Sequence, residues 1–447
     1  MVSASGLVRK ITTPGIFCHC LVLVMLDFNG LRGEPEPMKP LLNLLLMALL
    51  PTALACSVYD SNLVEEGLAT VPDRPPSSTS SDADDVEAVF AFRNVSLDQS
   101  GERWRRFGLD LDGMNTKSIG DAAECVGANG NPPLDGNKGI DNAFGQYVLP
   151  TVVSLMSCLE DNIALHQGCG RGTVLLRLRE WNGTPNDAKV DVSTVSAVDG
   201  TSLDDVSGLE WGGSDGATLM LPGGTEEAPD PAWDGEDYFF VDPSTVVTGN
   251  LDRPVVWQPD AYISNGRVVL PLDTGATFVF LTGPGSLSIS INGFAVADIS
   301  EDGQILEKGL LAGRFPVGTI VAGPESLGIC SESLQGSILG LLTDNLDLRV
   351  DPDKGSPDDK CTATGVAFSF QGIRARISDR IAPIKLPVPD PCANGGPQTG
   401  PEPAFDRCCR SVELDNPQSL PVDCTPEDLQ QYTDLPNPIP VPLEEGF

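Results

Sequence analysis

The chain has 447 residues, with 63 Asp and Glu against 28 Lys and Arg, and a formal net charge of −35. Such an acidic protein repels phosphate backbones and anionic lipid headgroups, which excludes nucleic acid as a partner. His166 is the single histidine beyond residue 20, so a metal site built from several histidines is excluded as well. His166 ends an apolar helical pattern before Gly168, where a cationic side chain favours a helix C-terminus.

Residues 38–55 have the anatomy of a bacterial lipoprotein signal peptide. Lys39 supplies a short cationic start, residues 41–50 form an apolar run, and small residues precede Cys56. The run is shorter than the roughly 20 apolar residues that a membrane-spanning helix needs, so we predict cleavage. Acylation of Cys56 would anchor the chain to a membrane. The sequence at 53–55 also fits the signal of a plainly secreted protein, and both interpretations stay open.

The nature of the segments around this signal is predicted from their composition. Residues 1–37 are predicted to be an upstream stretch produced by a start codon assigned too early. Residues 56–86 are rich in Ser, Asp and Pro and are predicted to be a disordered tether. Residues 87–385 form the β-rich globular domain, and residues 386–447 form an acidic tail rich in Pro and Cys.

The globular domain is predicted to be mainly β, a sandwich-like fold with two packed helices. Alternating or β-branched runs bounded by turn residues predict strands at 88–95, 173–180, 190–198, 267–272, 277–281, 286–291 and 364–370. The Asn-Gly pairs at 265–266 and 292–293 predict hairpin turns. Apolar residues at helical spacing predict one helix over 152–163, after Pro150, and another over 334–342, with Ser331 or Ser333 as N-cap.

Nine cysteines follow Cys56, and export makes disulfides the expected state. Local pairing suggests Cys158 with Cys169 and Cys330 with Cys361. The tail cysteines are expected to pair among themselves, and they are Cys392, Cys408, Cys409 and Cys424. Cys125 is then the candidate for the leftover thiol. The sequence does not fix this connectivity, and a zinc site would need a tighter ligand cluster such as two C-x-x-C pairs, which are absent.

Residues 108–145 alternate oxygen-bearing side chains with glycines, a pattern that favours a calcium ion. Calcium takes six to eight oxygen ligands, which carboxylates and amides on tight loops can supply. The candidate ligands are Asp110, Asp112, Asn115, Asp135, Asn137 and Asp141. The match to a twelve-residue EF-hand loop fails, because Gly139 stands at the third ligand position. The alternative is that these residues are turn formers that bond to their own backbone.

A carbohydrate-binding protein or weak glycosidase is the alternative function. It is based on the motifs at 180–183, 210–213 and 233–235, which place Trp181, Trp211 and Trp233 beside acidic residues. Tryptophan can stack on a sugar ring, and paired carboxylates can hydrolyse glycosidic bonds. The competing interpretation is that these tryptophans anchor loops or fill the core. The sequence has no G-x-S-x-G, phosphate-loop, dinucleotide-binding or H-E-x-x-H motif.

The motifs GLDLDG at 108–113 and GIDNAFG at 139–145, with AGRFP at 312–316, resemble a group of uncharacterised exported bacterial lipoproteins. The resemblance covers most of residues 88–380 and implies export but no known activity. Ser57, instead of the Asp that retains lipoproteins in the inner membrane, implies the outer membrane, on its periplasmic or cell-surface side. We expect a non-enzymatic envelope lipoprotein with a structural or binding role and an unknown protein or glycan partner.

Overall fold

The computed structural model describes residues 69–76, 86–156, 159–213, 215–272, 275–282, 285–320, 323–388 and 392. The predicted upstream segment, the signal peptide, Cys56 and most of the tail lie outside the described residues. No helix within the described ranges is both long enough and apolar enough to cross a membrane.

The domain is built on an antiparallel sheet that closes on itself. Eight described strands form the ring in the order β1, β2, β3, β7, β8, β10, β11 and β12, and β12 pairs again with β1. The strands are β1 Val86–Ser96, β2 Val174–Trp181, β3 Asp187–Thr201, β4 Glu210–Gly212, β5 Thr218–Met220, β6 Tyr238–Val241, β7 Val256–Ser264, β8 Arg267–Pro271, β9 Ala276–Leu281, β10 Ser286–Ile299, β11 Ile305–Pro316, β12 Ala363–Arg374 and β13 Arg376–Ile377.

The predicted β content is confirmed, and the predicted sandwich is wrong. Closure comes from the pairing of β3 with β7, which joins the two ends of what would otherwise be an open sheet. Alternation of apolar and polar residues is the same in a sandwich and in a barrel, so the strand patterns alone do not distinguish them.

The two ends of the barrel differ in how they connect the strands. At one end, here called the turn end, short connections at 182–186, 265–266 and 300–304 join neighbouring strands. At the other, the loop end, the connections are long and span 97–173, 202–255 and 317–362. Each ring strand therefore lies beside the ring strand that precedes it in sequence, as in an up-and-down barrel.

Side chains fill the barrel interior. Phe90, Phe92, Phe278, Phe280 and Phe368 are at most 2% exposed and belong to one buried cluster. The loop-end connections contain the helices α1 Leu149–Leu155, α2 Leu159–Gly168, α3 Val317–Ile320, α4 Gly323–Ser326 and α5 Glu332–Asp344. Apolar residues of α1, α2 and α5 belong to the same buried cluster. Both predicted helical regions are confirmed, although the first is divided into α1 and α2.

The two Asn-Gly pairs have different outcomes. Asn265 and Gly266 have positive φ angles of 52° and 82° and form the predicted two-residue turn between β7 and β8. The predicted turn at Asn292-Gly293 is wrong, because β10 continues through it. Gly293 is needed there for close packing, since a Cβ would lie 2.2 Å from the Ala312 carbonyl oxygen.

The disulfides differ from the predicted pairs. Cys125, predicted to be the leftover thiol, is bonded to Cys361, so the predicted Cys330–Cys361 bond is wrong. Cys330 pairs with Cys392, which we had expected to pair within the tail. The fold brings these residues together across long sequence separations, 236 residues in the first pair, which a local pairing rule does not anticipate.

Cys169 is a free thiol, contrary to its predicted bond with Cys158. Burial raises its pKa to about 12, and a hydrogen bond with the Asp230 side chain acts in the same direction. The thiol therefore stays protonated and unreactive. Cys158, Cys408, Cys409 and Cys424 lie outside the described residues.

Residues 69–76, from the segment predicted to be a tether, lie along the outside of the barrel. Arg74 donates to the carbonyl oxygens of Ala188 and Asp260 at 2.7 and 2.6 Å, and its guanidinium lies over the Tyr262 ring. Tyr262 donates in turn to the Pro72 carbonyl at 2.5 Å. The globular unit thus begins before the predicted boundary at residue 87.

Candidate metal centre

The acidic residues at 108–145 lie on two segments that are hydrogen-bonded to each other outside β11 and β12. The Asp141 N–H donates to the Leu109 carbonyl at 2.9 Å, and the Leu111 N–H donates to Asp141 Oδ2 at 2.7 Å. Asp135 and Thr116 are joined in the same way. The Asp135 N–H donates to the Thr116 carbonyl, and the Thr116 N–H donates to Asp135 Oδ2. Two sequence segments thereby become one compact acidic loop pair.

Three carboxylates converge in this loop pair. One oxygen from each of Asp110, Asp112 and Asp141 lies within 4.8 Å of the others. Backbone donors fix the carboxylates, since Gly113 donates to Asp110 Oδ1 and Met114 donates to Asp112 Oδ1, each at 2.7 Å. Two oxygens that both ligate calcium at 2.3–2.6 Å are separated by at most about 5 Å, so the spacing fits one ion.

Glycines allow the close approach of these segments. Gly139 has a φ of +85°, and a Cβ there would lie 2.2 Å from the Met114 carbonyl oxygen and 3.0 Å from Asp110 Oδ2. Gly365 in β12 is similar, because its Cβ would meet the Asp141 carbonyl oxygen at 2.6 Å. The glycines that the sequence interleaves with acidic residues therefore pack the site as well as form turns.

Burial and mutual repulsion make the charged forms of these carboxylates costly. Burial raises the pKa of Asp135 to about 7, and the neighbouring charges of Asp112 and Asp110 add to the rise. Asp141 is 2% exposed, and burial together with the charges of Asp112, Asp347 and Asp135 raises its pKa well above the usual value. A bound cation would supply the missing positive charge.

Asp347 is an acidic residue of this cluster that the sequence interpretation missed. It follows α5 and accepts the Gly365 N–H at 2.8 Å. Burial raises its pKa to about 7, and the charges of Asp135 and Asp112 contribute. Asp347 follows a helix and is not part of an Asp/Gly-rich sequence motif. Only the folded structure therefore places it beside the acidic segments.

A buried ion pair fastens the acidic loops to the barrel. Arg314 near the end of β11 donates to Glu124 Oε2 at 2.6 Å, with both side chains at most 5% exposed. Arg314 also donates to the carbonyl oxygens of Leu111 and Arg349 at 2.7 and 2.8 Å. The adjacent Cys125–Cys361 disulfide attaches the same segment to the residues just before β12. The sequence motif AGRFP contained Arg314 but gave no indication of this role.

The predicted ligands are only partly brought together. Asp110, Asp112 and Asp141 converge, while Asp135 lies close enough for its charge to raise the pKa of Asp141. Asn137 is half-buried and begins a short 3₁₀ turn, and Asn115 is exposed. Asp110 and Asp112 also accept hydrogen bonds from nearby backbone N–H groups, as the turn-forming alternative predicts. The same side chains therefore both form turns and converge on one point.

The donor set fits a hard cation. All the converging side-chain atoms are carboxylate oxygens, the ligands of calcium, with no histidine or thiolate to favour a softer metal. If calcium is bound, Asp110, Asp112 and Asp141 would hold it, and it would neutralise the buried charge.

The tryptophans of the carbohydrate motifs have different surroundings. Trp211 packs edge-on against Phe240, with ring centroids 5.6 Å apart. Trp233 packs against Phe239 and donates to the Gly168 carbonyl at 2.9 Å. Trp181 is half-buried at the end of β2 and faces a groove at the turn end. His166 lies in the last turn of α2, as predicted.

Comparison with protein-family models, curated proteins and solved structures found no match to this chain.

Proposed function

We propose that this chain is a non-enzymatic cell-envelope lipoprotein, anchored to the outer membrane through Cys56, whose barrel is stabilised by calcium and serves a structural or binding role. The signal-like sequence before Cys56 supports the location. The observation that carries the calcium proposal is the convergence of Asp110, Asp112 and Asp141 within 4.8 Å.

Calcium would stabilise the fold because the site exists only when the chain is folded. The two acidic segments are held together by hydrogen bonds between residues at least 19 positions apart, which form only in the folded chain, and Asp347 comes from a distant part of the chain. An ion that binds the folded state alone adds about 2.7 kcal/mol to the free energy of unfolding at 100 times its Kd. For a domain of this size we expect a rise in Tm of about 5 °C.

Thermal unfolding of the full-length protein tests this proposal in chelator and in millimolar calcium. We expect calcium to raise Tm in the wild type and to have little effect on D141N. Because asparagine removes a repelling buried charge and still accepts the Leu111 N–H, D141N should be at least as stable as wild type in chelator. D205N is the matched control, since Asp205 is exposed and bonds only to Ser207 of its own turn. Equal calcium responses in wild type and D141N would contradict the site.

Lipidation is tested separately by metabolic labelling with a fatty acid in a bacterial host. Wild type is expected to incorporate label and to fractionate with the outer membrane, whereas C56S is expected to do neither. Label in both proteins, or in neither, would reject Cys56 as the anchor and leave the calcium result unaffected.

A further inference from the structure

A groove of about 840 Å³ lies at the turn end of the barrel. Its walls come from the three short connections, the first residue of β1 and the last residue of β12. Residues 235–236, which belong to the long connection between β3 and β7 and are here called the insertion, also line the groove. This volume lies within the range of about 300–1,000 Å³ that is typical of ligand sites. The groove and the acidic loops belong to opposite ends of the barrel, because the groove is lined by the turns and the acidic segments are part of a loop-end connection.

We propose that this groove binds a neutral oligosaccharide. Trp181 forms part of its lining, and its indole N–H is already bonded to the Thr184 carbonyl at 3.0 Å. The ring therefore has no unmet donor of its own. It packs in part against the main core cluster, so the part that lines the groove is a rigid apolar surface. A pyranose ring, with C–H groups on one face and hydroxyls at its rim, is complementary to such a surface.

The polar lining suits hydroxyl groups. Glu301 and Asp302 are exposed at the β10–β11 turn and can accept hydrogen bonds. Arg374, whose backbone N–H donates to the Gln304 carbonyl of the same turn, and Arg376 add guanidinium donors to the lining. Arg376 is ion-paired with Glu236, which lowers the net charge of that wall. Because sugar hydroxyls both donate and accept, they can use donors and acceptors together.

Charge disfavours an anionic ligand. The groove has three carboxylates, Glu236, Glu301 and Asp302, against two guanidinium groups, and the chain has a formal net charge of −35. A polyanion would have to approach against this field. The groove therefore favours a neutral glycan over a uronic acid polymer.

Local hydrogen bonds hold the groove walls in place. In the β10–β11 turn, Ser300 donates to Asp302 Oδ1 at 2.7 Å and accepts the Ile305 N–H at 2.9 Å. In the β2–β3 connection, Asn182 Oδ1 accepts the Thr184 N–H at 2.8 Å, and Asp187 accepts the Asn182 N–H at the same distance. A preformed site loses less conformational entropy when it binds a ligand.

Of the three tryptophan motifs in the sequence, two reach this groove. The first contributes Trp181 and Gly183, and the last contributes Gly235, whereas Trp211 packs elsewhere. Gly235 has a φ of +98°, and a Cβ there would lie 3.1 Å from Gln304 Oε1, so the insertion and the β10–β11 turn meet closely. This proposal does not depend on calcium or on the anchor.

The test is isothermal titration of the full-length protein with neutral hexasaccharides of β-1,4-glucose, α-1,4-glucose, β-1,4-xylose and β-1,4-N-acetylglucosamine, and with an anionic hexagalacturonate. We expect at least one neutral sugar to bind and the galacturonate not to bind. W181A should weaken binding by about tenfold or more. E301Q, an exposed change that spares the core, should weaken it by a smaller factor. W257A is the matched control, because Trp257 is 52% exposed on β7 and does not line the groove.

Absence of binding to every sugar would overturn the proposal, and so would preferential binding of the galacturonate. Undiminished affinity in both W181A and E301Q would also overturn it, because the ligand would then occupy another surface. Each titration is repeated in calcium and in chelator. If W181A weakens sugar binding but keeps the wild-type rise in Tm with calcium, the groove and the metal centre are independent sites.

Discussion

The two ends of the barrel organise polar residues in different ways. At the turn end, several side chains bond within their own short connection, as Ser300 does with Asp302 and Asn182 with Thr184. At the loop end, the polar contacts join residues far apart in sequence, such as Arg314 with Glu124 and Asp347 with Gly365. The conformation of the individual turns is therefore fixed by local contacts, whereas the acidic cluster depends on contacts that form only when the chain has folded.

This difference also separates exposed charges from buried ones. The Arg376–Glu236 pair at the turn end has exposed fractions of 42% and 61%, and the Arg314–Glu124 pair at the loop end has 5% and 4%. Solvent screens the first pair, while the second is desolvated and depends on its protein partners, which include Arg349 for Glu124. We therefore expect mutations at the loop end to cost more stability and to change its ion binding.

The largest effect is expected from breaking the buried pair. R314M should lower the free energy of unfolding by about 3 kcal/mol, because it removes the closer of the two guanidinium groups that pair with the buried Glu124 carboxylate. Arg349, with its Nη2 3.5 Å from Glu124 Oε1, is then the remaining counter-charge. Urea unfolding measures the difference. R376M, at the exposed turn-end pair, should cost no more than about 1 kcal/mol. The double variant E124Q/R314M should recover part of the loss, and equal costs for R314M and R376M would contradict the distinction between the ends.

A smaller effect is expected from two glycine substitutions. G365A at the loop end should cost about 1–3 kcal/mol, because the added Cβ would lie 2.6 Å from the Asp141 carbonyl oxygen. It should also reduce the rise in Tm produced by calcium. G266A at the turn end meets no atom within 4 Å, so only its φ of +82° is unfavourable, at about 1 kcal/mol. A normal calcium response in G365A would show that β12 does not support the acidic loops.

A separate effect, measured against pH instead of by substitution, is expected in the calcium-free protein. Asp135 and Asp347 have folded pKa values of about 7, above the unfolded value near 4. The folded state then holds more protons between about pH 4 and 7, so stability falls as pH rises through that range. Asp199, also raised to about 7 by burial, contributes in the same direction outside the metal centre.

Urea midpoints from pH 4.5 to 8 measure this slope in calcium-free buffer and in calcium. Calcium should flatten the slope, since it favours the ionised carboxylates, and should leave the part due to Asp199. Exposed carboxylates with lowered pKa values, such as Asp121 and Asp302, make stability rise with pH only up to about pH 4. They therefore do not reverse the expected fall in stability at higher pH. Stability that rises from pH 5 to 7 without calcium would contradict the raised pKa values.

Local sequence patterns predicted much of the fold. The predicted strands at 88–95, 173–180 and 364–370 correspond to β1, β2 and β12, and Asn265-Gly266 forms the predicted turn. The same pattern failed at Asn292-Gly293, where neighbouring strands on both sides hold the chain extended. An Asn-Gly pair permits a type I′ turn, but the pairing of the surrounding strands decides whether the turn forms.

The sequence by itself determined the β-rich class, the helical regions and the acidic segments that contain Asp110, Asp112 and Asp141, because period, turn chemistry and composition are local properties. Only the tertiary structure decided barrel closure, the Cys125–Cys361 bond and the recruitment of Asp347 and Arg314 to the acidic loops. These features join residues that are distant in sequence, and the burial that raises the pKa of Asp347 arises only when the barrel closes and the long connections pack against it.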